Sequence, residues 1–279
     1  MSFEQPNFNK ENPEQKLRPP HEILQDLRKL RGDYFKRESD EDKIVIEQNQ
    51  RKLIQQLEAQ TQKIIDDINN TSIPESDRDK LMGQYGAIMD QMAINIPWSE
   101  MSMGRERDMQ SEALQRLRTY LEKHPQAKEV AHSIFMLFHH GAEIDKTLTA
   151  EAYQQMLQRQ LPAKEFARQY VEAENKGKKF LEKYIALTLG KEQFSLDNDY
   201  QKLIDIEQMS DEQFSCILDV ANWYRRIAYY QKIAGLDREQ KENTQRAIEL
   251  HKKLIEKDPT LGQFLDAIYQ EQGIEKPNQ

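Results

Sequence analysis

A single cysteine, Cys216, leaves this 279-residue chain without the means to form an internal disulfide or a cysteine-based zinc cluster. One thiol fits a reducing compartment. No uninterrupted apolar run exceeds the five residues Ile134–Phe138, against the roughly 20 that a membrane-spanning helix needs. The first residues, "MSFEQPNFNKENPEQ", contain no apolar signal core. There is no surplus of positive charge: 40 Lys and Arg face 48 Asp and Glu, for a net charge of -8, so no basic face invites nucleic acid. These absences point to a soluble, cytoplasmic protein that neither enters a membrane nor binds nucleic acid. Glycine is scarce too, with ten in the whole chain, which disfavours turn-rich all-β architecture.

What is present favours helix. Thirty Gln and an abundance of Glu, Lys, Leu and Ala are good helix formers. A mean hydropathy of -0.91 is polar for a chain that must bury a core, and such a composition suits a thin assembly of helices. Residues 1–20, rich in Asn, Gln, Glu and Pro, read as a disordered tail, with Phe3 and Phe8 as isolated aromatics. A helical pattern begins at His21. "SDED" at 39–42 is a capping signal for a segment that continues to about Asn69. Its later half carries Ile54, Leu57, Thr61, Ile64 and Ile68 at alternating three- and four-residue spacing, and Met82, Tyr85, Met89, Met92 and Ile96 repeat it. This is the seam of a helical hairpin or short coiled coil. The expected units are the tail, a helical hairpin or three-helix unit over 21–98, a helical array over 99–273 and a disordered end over 274–279, with Pro97, Trp98 and Gly104 at the joint.

In the array, periodicity predicts helices near 106–123, 126–144, 150–160, 163–189, 198–208, 211–234, 238–257 and 260–271. Gly190 and Gly235 are C-cap signals, and Ser210 and Asp237 N-cap signals. No segment alternates with period two, so no strand is expected. The fold class is all-α, with the array a bundle or an irregular α-solenoid. "ALQRLRTYLEKHP" at 113–125 aligns without gaps to "AIELHKKLIEKDP" at 247–259. The spacing of Ala, a bulky residue (Leu117, His251) and Pro resembles the second helix of tetratricopeptide repeats. Tyr120 and Leu254 depart from that family's small position, and its first-helix pattern precedes neither copy. The resemblance covers about a tenth of the chain and implies stacked helices.

The stretch richest in chemistry is "EVAHSIFMLFHHGAEID", 129–145, holding three of the six histidines. Glu129 and His132 stand three apart, as in di-iron carboxylate bundles, and His139 and Glu143 four apart. On a continuous helix Glu129, His132, Met136, His139 and Glu143 share one face, opposite Val130, Ile134, Phe135, Leu137 and Phe138. Bundle metal centres need ligands directed into the core and matching ligands on partner helices, and no second Glu-x-x-His exists. The face is therefore expected to be solvated, with no metal. No phosphate-binding loop is complete at Gly177 or Gly190, and "DNDYQKLIDIEQ" at 197–208 lacks the glycine and final Glu of a calcium loop. Arg105–Arg107 and Lys176–Lys179 read as solvated charge, and Cys216 as a buried, inert thiol.

One helix, 210–235, is apolar around about two-thirds of its circumference. Asp219, Trp223, Arg226 and Tyr230 adjoin one another at the edge of that arc, a composition suited to a protein-binding hot spot if they are not packed internally. The function expected is a non-catalytic adaptor or scaffold that binds another protein, without cofactor or metal. The rival readings are a helical metal-binding protein or metalloenzyme using the 129–143 face, and a structural protein that self-assembles through residues 47–96.

Overall fold

The structure, a computed structural model, describes residues 18–276 except 38, 71, 102, 103 and 159, and only the backbone of 153, 156 and 157. Among the described residues there are twelve α-helices and no strand, so the fold is all-α. In chain order the helices are α1 (Pro20–Tyr34), α2 (Asp40–Ile68), α3 (Glu75–Ala93), α4 (Trp98–Met101), α5 (Arg105–Lys123), α6 (Lys128–His139), α7 (Lys146–Leu157), α8 (Lys164–Thr188), α9 (Gln201–Ile204), α10 (Asp211–Ala234), α11 (Asp237–Lys257) and α12 (Gly262–Gln272).

Local chemistry sets many of these limits. Pro20 opens α1, where a missing amide hydrogen costs nothing. Ser39 accepts the Asp42 amide. Ser210 and Gln213 form a reciprocal capping box at the start of α10. Two sequence spans are too long. The helix expected over 126–144 stops at His139, because Gly141 takes a left-handed conformation (φ 85°). Its amide reaches the Phe138 carbonyl at 2.8 Å, and the Ala142 amide reaches that of Leu137 at 2.9 Å, closing the last turn. The helix expected over 198–208 shrinks to α9, preceded by a turn in which Asp199 accepts the Ser195 amide.

Packing passes from helix to helix along the chain. α2 lies between α1 and α3; α3 also packs on α5 and α6; α6 packs on α8, α8 on α10, α10 on α11, and α11 on α12. The predicted seam is filled within one chain: Ile54, Leu57, Thr61 and Ile68 of α2 and Met82, Tyr85, Met89 and Met92 of α3 are all buried. Those eight seam residues are therefore covered within one chain. The core does not break at the 98/99 joint, since the buried cluster extends from Ile23 to Tyr269. The joint is stitched to α2 by polar contacts. Glu47 accepts the Ser99 amide at 3.0 Å, Arg51 donates to Glu100 at 2.7 Å, and Arg105 donates to Glu58 at 2.8 Å. Residues 1–17 and 277–279 of the expected disordered ends lie outside the described residues.

Arg107 is not solvated charge. It is buried and donates to Gln110 at 2.5 Å, to Thr149 at 2.9 Å and to the Gly141 carbonyl, tying the turn after α6 to α5 and α7. The two repeat-like segments end α5 and α11, and their matched Ala113 and Ala247, Leu117 and His251 are all fully buried.

The tightest feature is the seat of α6. A Cβ on Gly83 would lie 2.5 Å from Glu129 Cβ, and one on Gly86 2.6 Å from Ser133 Cβ. On the other side, a Cβ on Gly177 of α8 would lie 2.7 Å from Phe138 Cβ. α6 is held at backbone distance by glycines of both neighbours, and Ser133 donates to the Gly83 carbonyl at 2.9 Å. Gly86→Ala and Gly177→Ala should each destabilise the fold by about 1–3 kcal/mol in urea unfolding, because overpacking outweighs the better helix propensity of Ala. Gly32→Ala in α1, where nothing lies within 4 Å, should instead gain up to about 1 kcal/mol.

Candidate functional site

The histidines of α6 and its terminus differ in exposure: His139 is buried, whereas His132 and His140 are half-buried. Each meets one carboxylate from a different helix. His132 Nε2 lies 3.0 Å from Asp219 of α10, His139 Nδ1 2.8 Å from Glu174 of α8, and His140 Nδ1 2.8 Å from Asp90 of α3. The solvated face expected for 129–143 holds only in part: Glu129, His132 and Met136 are half-buried and Glu143 is exposed, but His139 is buried. α6 packs on α3, α5 and α8, and each of its histidines meets a carboxylate of a neighbouring helix. Glu143 leaves the face altogether. It sits in the turn beyond Gly141 with φ 72°, bound by Arg118 at 3.1 Å and Lys176 at 2.9 Å. Among the described residues no three His, Cys, Asp or Glu side chains converge as a metal ion would require.

The deepest of these pairs is His139 with Glu174, whose side chain is 0% exposed. The Tyr170 hydroxyl lies 2.8 Å from the same Glu174 oxygen and also meets the His139 carbonyl. The other oxygen, Oε2, is buried with no hydrogen-bond partner among the described residues. Burial holds the His139 imidazole below its ordinary pKa, against the opposing pull of Glu174, with Arg226 reinforcing burial. His139 is accordingly neutral near pH 7, with Nδ1 engaged by Glu174, and it lines a recess.

That recess, about 450 Å³, lies between α6, α10 and α12. Phe135, Met136, His139 and His140 form its α6 side; Asn222, Arg226 and Tyr229 belong to α10, and Phe264 and Glu271 to α12. Arg225 is fixed at its edge by a two-pronged bond to Glu271 at 2.9 and 2.5 Å. A smaller cavity, about 70 Å³, shares His140, Arg226 and Tyr230 with it and extends toward Arg107 and Thr149. The lining includes no serine, cysteine or lysine to serve as a nucleophile. Cys216 is buried elsewhere, and burial pushes its thiol up to about 12.

The four strip residues separate. Asp219, Arg226 and Tyr230 line the recess; Trp223 does not. Trp223 is 3% exposed and Tyr230 7%, so neither is the surface anchor that the strip expectation requires. Tyr230 stacks on Tyr170 at 3.9 Å between ring centres and meets Phe166 edge-on, while Arg226 lies 5.2 Å over the Tyr170 ring. α8 covers the edge that a helical wheel leaves open. Sequence reasoning missed Tyr170 and Glu174, although a signal exists. Glu174 interrupts the apolar stripe Phe166, Tyr170, Gly177, Leu181 of α8, where an acid must find a buried partner.

Trp223→Ala should cost about 3–5 kcal/mol of stability, as for a core aromatic, measured by chemical unfolding. A second expectation concerns pH. The unfolded His139 titrates near 6.5, whereas the folded one titrates lower, so the unfolded state binds more protons in between. The stability contributed by neutral His139 is complete above about pH 6.5 and is lost as pH falls toward the depressed folded value. His251, also lowered by burial, acts in the same direction. Urea unfolding at pH 7.5 and 5.5 should show lower stability in acid, and a smaller difference in His139→Asn, which keeps a donor for Glu174 without the titration.

Compared with family models, with curated proteins and with solved structures, the chain matches none.

Proposed function

We propose that this protein is a non-catalytic helical adaptor or scaffold, and that the recess between α6, α10 and α12 receives a segment of another protein. The observation that carries the reading is the composition and exposure of the recess. Met136, Asn222, Arg225, Tyr229 and Phe264, from three helices, are each half-buried around one concavity. Aromatic residues, Met and Arg are enriched at protein interfaces, and anchors set in a desolvated pocket carry most of the binding energy. Fixing Arg225 on Glu271 lowers the entropy cost of presenting it.

The reading keeps Asp219 and Arg226 of the original strip and replaces Trp223 with Tyr229 and Phe264. Its support for a protein partner is the mixed lining, which offers donors, acceptors and apolar area around one concavity. No described helix is long and apolar enough to cross a membrane, and the lone, buried Cys216 suits a cytoplasmic setting.

A photo-crosslinking residue at Asn222 should trap one dominant protein in cells of origin, and the same residue at the exposed Lys52 of α2, outside the recess, should not. Tyr229→Ala and Met136→Ala should abolish the crosslink while changing unfolding stability by less than about 1.5 kcal/mol, as expected of half-exposed side chains. Equal trapping at both positions would sink the proposal.

A further inference from the structure

A second concavity, about 600 Å³, lies on the opposite side of α3, between the end of α2, α3 and α5. Its size falls within the range of small-molecule sites. Ile65 and Ile68 of α2 and Met82 and Tyr85 of α3 provide apolar lining. Three cations, Arg78, Arg116 and Lys123, share the wall with one carboxylate, Glu112, which Arg116 holds at 3.2 Å. The acids nearest the rim are otherwise engaged: Asp79 accepts from Tyr120 at 2.9 Å, and Glu75 meets His124 at 2.7 Å. Arg78 has no carboxylate partner among the described residues.

Two hydrogen-bond donors at this groove are left over. The Tyr85 hydroxyl is buried with no partner, and so is Arg78 Nε. Tyr85 is 1% exposed and lines the groove together with Glu112 and Arg116. A buried hydroxyl without a partner is destabilising, and here both orphans can donate. What would satisfy them is an acceptor, and the surplus of cations favours an anionic one.

We propose that this groove binds a small amphipathic carboxylate. Its apolar body lies on Ile65, Ile68 and Met82; its carboxylate accepts from Arg78 and from the Tyr85 hydroxyl, while Arg116 stays on Glu112 and offsets its charge. Asn69 and Thr119 add polar groups to the lining. The proposal is independent of the recess beside α6, which shares no lining residue with this groove.

Titration calorimetry of the full chain at pH 7.5 with decanoate should show saturable binding at one site, and decanol should bind at least tenfold more weakly, since it lacks the charge. Tyr85→Phe should weaken decanoate about tenfold, the effect of one hydrogen bond to a charged group, while leaving the unfolding midpoint unchanged or raised. Arg78→Gln should weaken it by as much or more. The proposal is overturned if decanoate fails to saturate in the millimolar range, if decanol binds as tightly, or if both variants bind decanoate like the parent chain.

Discussion

The structure depends on how closely α6 is seated. Gly83 and Gly86 on one side and Gly177 on the other let two neighbouring helices come within Cβ contact of it. In an ordinary helix pair, side chains hold the axes 8–10 Å apart. Here the missing side chains remove that spacer, and α6 lies in a slot with Leu137, Phe138, Ile134 and Val130 all fully buried. The cost is conformational, since glycine disfavours helix interiors by about 1 kcal/mol; the return is packing on two fronts from a helix of only twelve residues.

That closeness also explains the histidines. Where neighbouring helices cover α6, polar groups cannot be left to water, so each must find a partner in the protein. His132, His139 and His140 do so with Asp219, Glu174 and Asp90, which come from α10, α8 and α3. Such pairs add directional matching where apolar contacts alone would allow sliding. Replacing one partner would leave a buried acid unmatched, the costlier half of breaking such a pair.

Helix class, most helix limits and the capping of α10 were legible because they depend on neighbours within a turn or two. Seam residues were legible because a repeating apolar spacing has few other uses. The environment of 129–145 was not. A wheel records one helix and assumes that a polar face is a wet face, whereas the contents of that face were decided by Glu174 and Asp219, 35 to 87 residues away. Tyr230 is packed for the same reason: α8 covers that part of the arc's edge, as Tyr170 stacking on Tyr230 shows. The stop at Gly141 carried a local signal, a glycine just past a run of apolar residues, that competed with an unbroken helical periodicity. The recess itself combines α6 with α10 and α12, and no spacing in sequence announces such a meeting.

The path of contacts has a mechanical corollary. Helices α1 to α5 meet α8 to α12 principally through α6, which packs on α3 and α5 with one side and on α8 with the other, while α7 adds polar ties such as Arg107 with Thr149. α6 acts as a keystone: neither flank can loosen it without the other losing its main support. Two flanks joined in this way exchange free energy through one short element, so opening of either is felt across the whole chain, and the molecule's cooperativity is concentrated in those twelve residues.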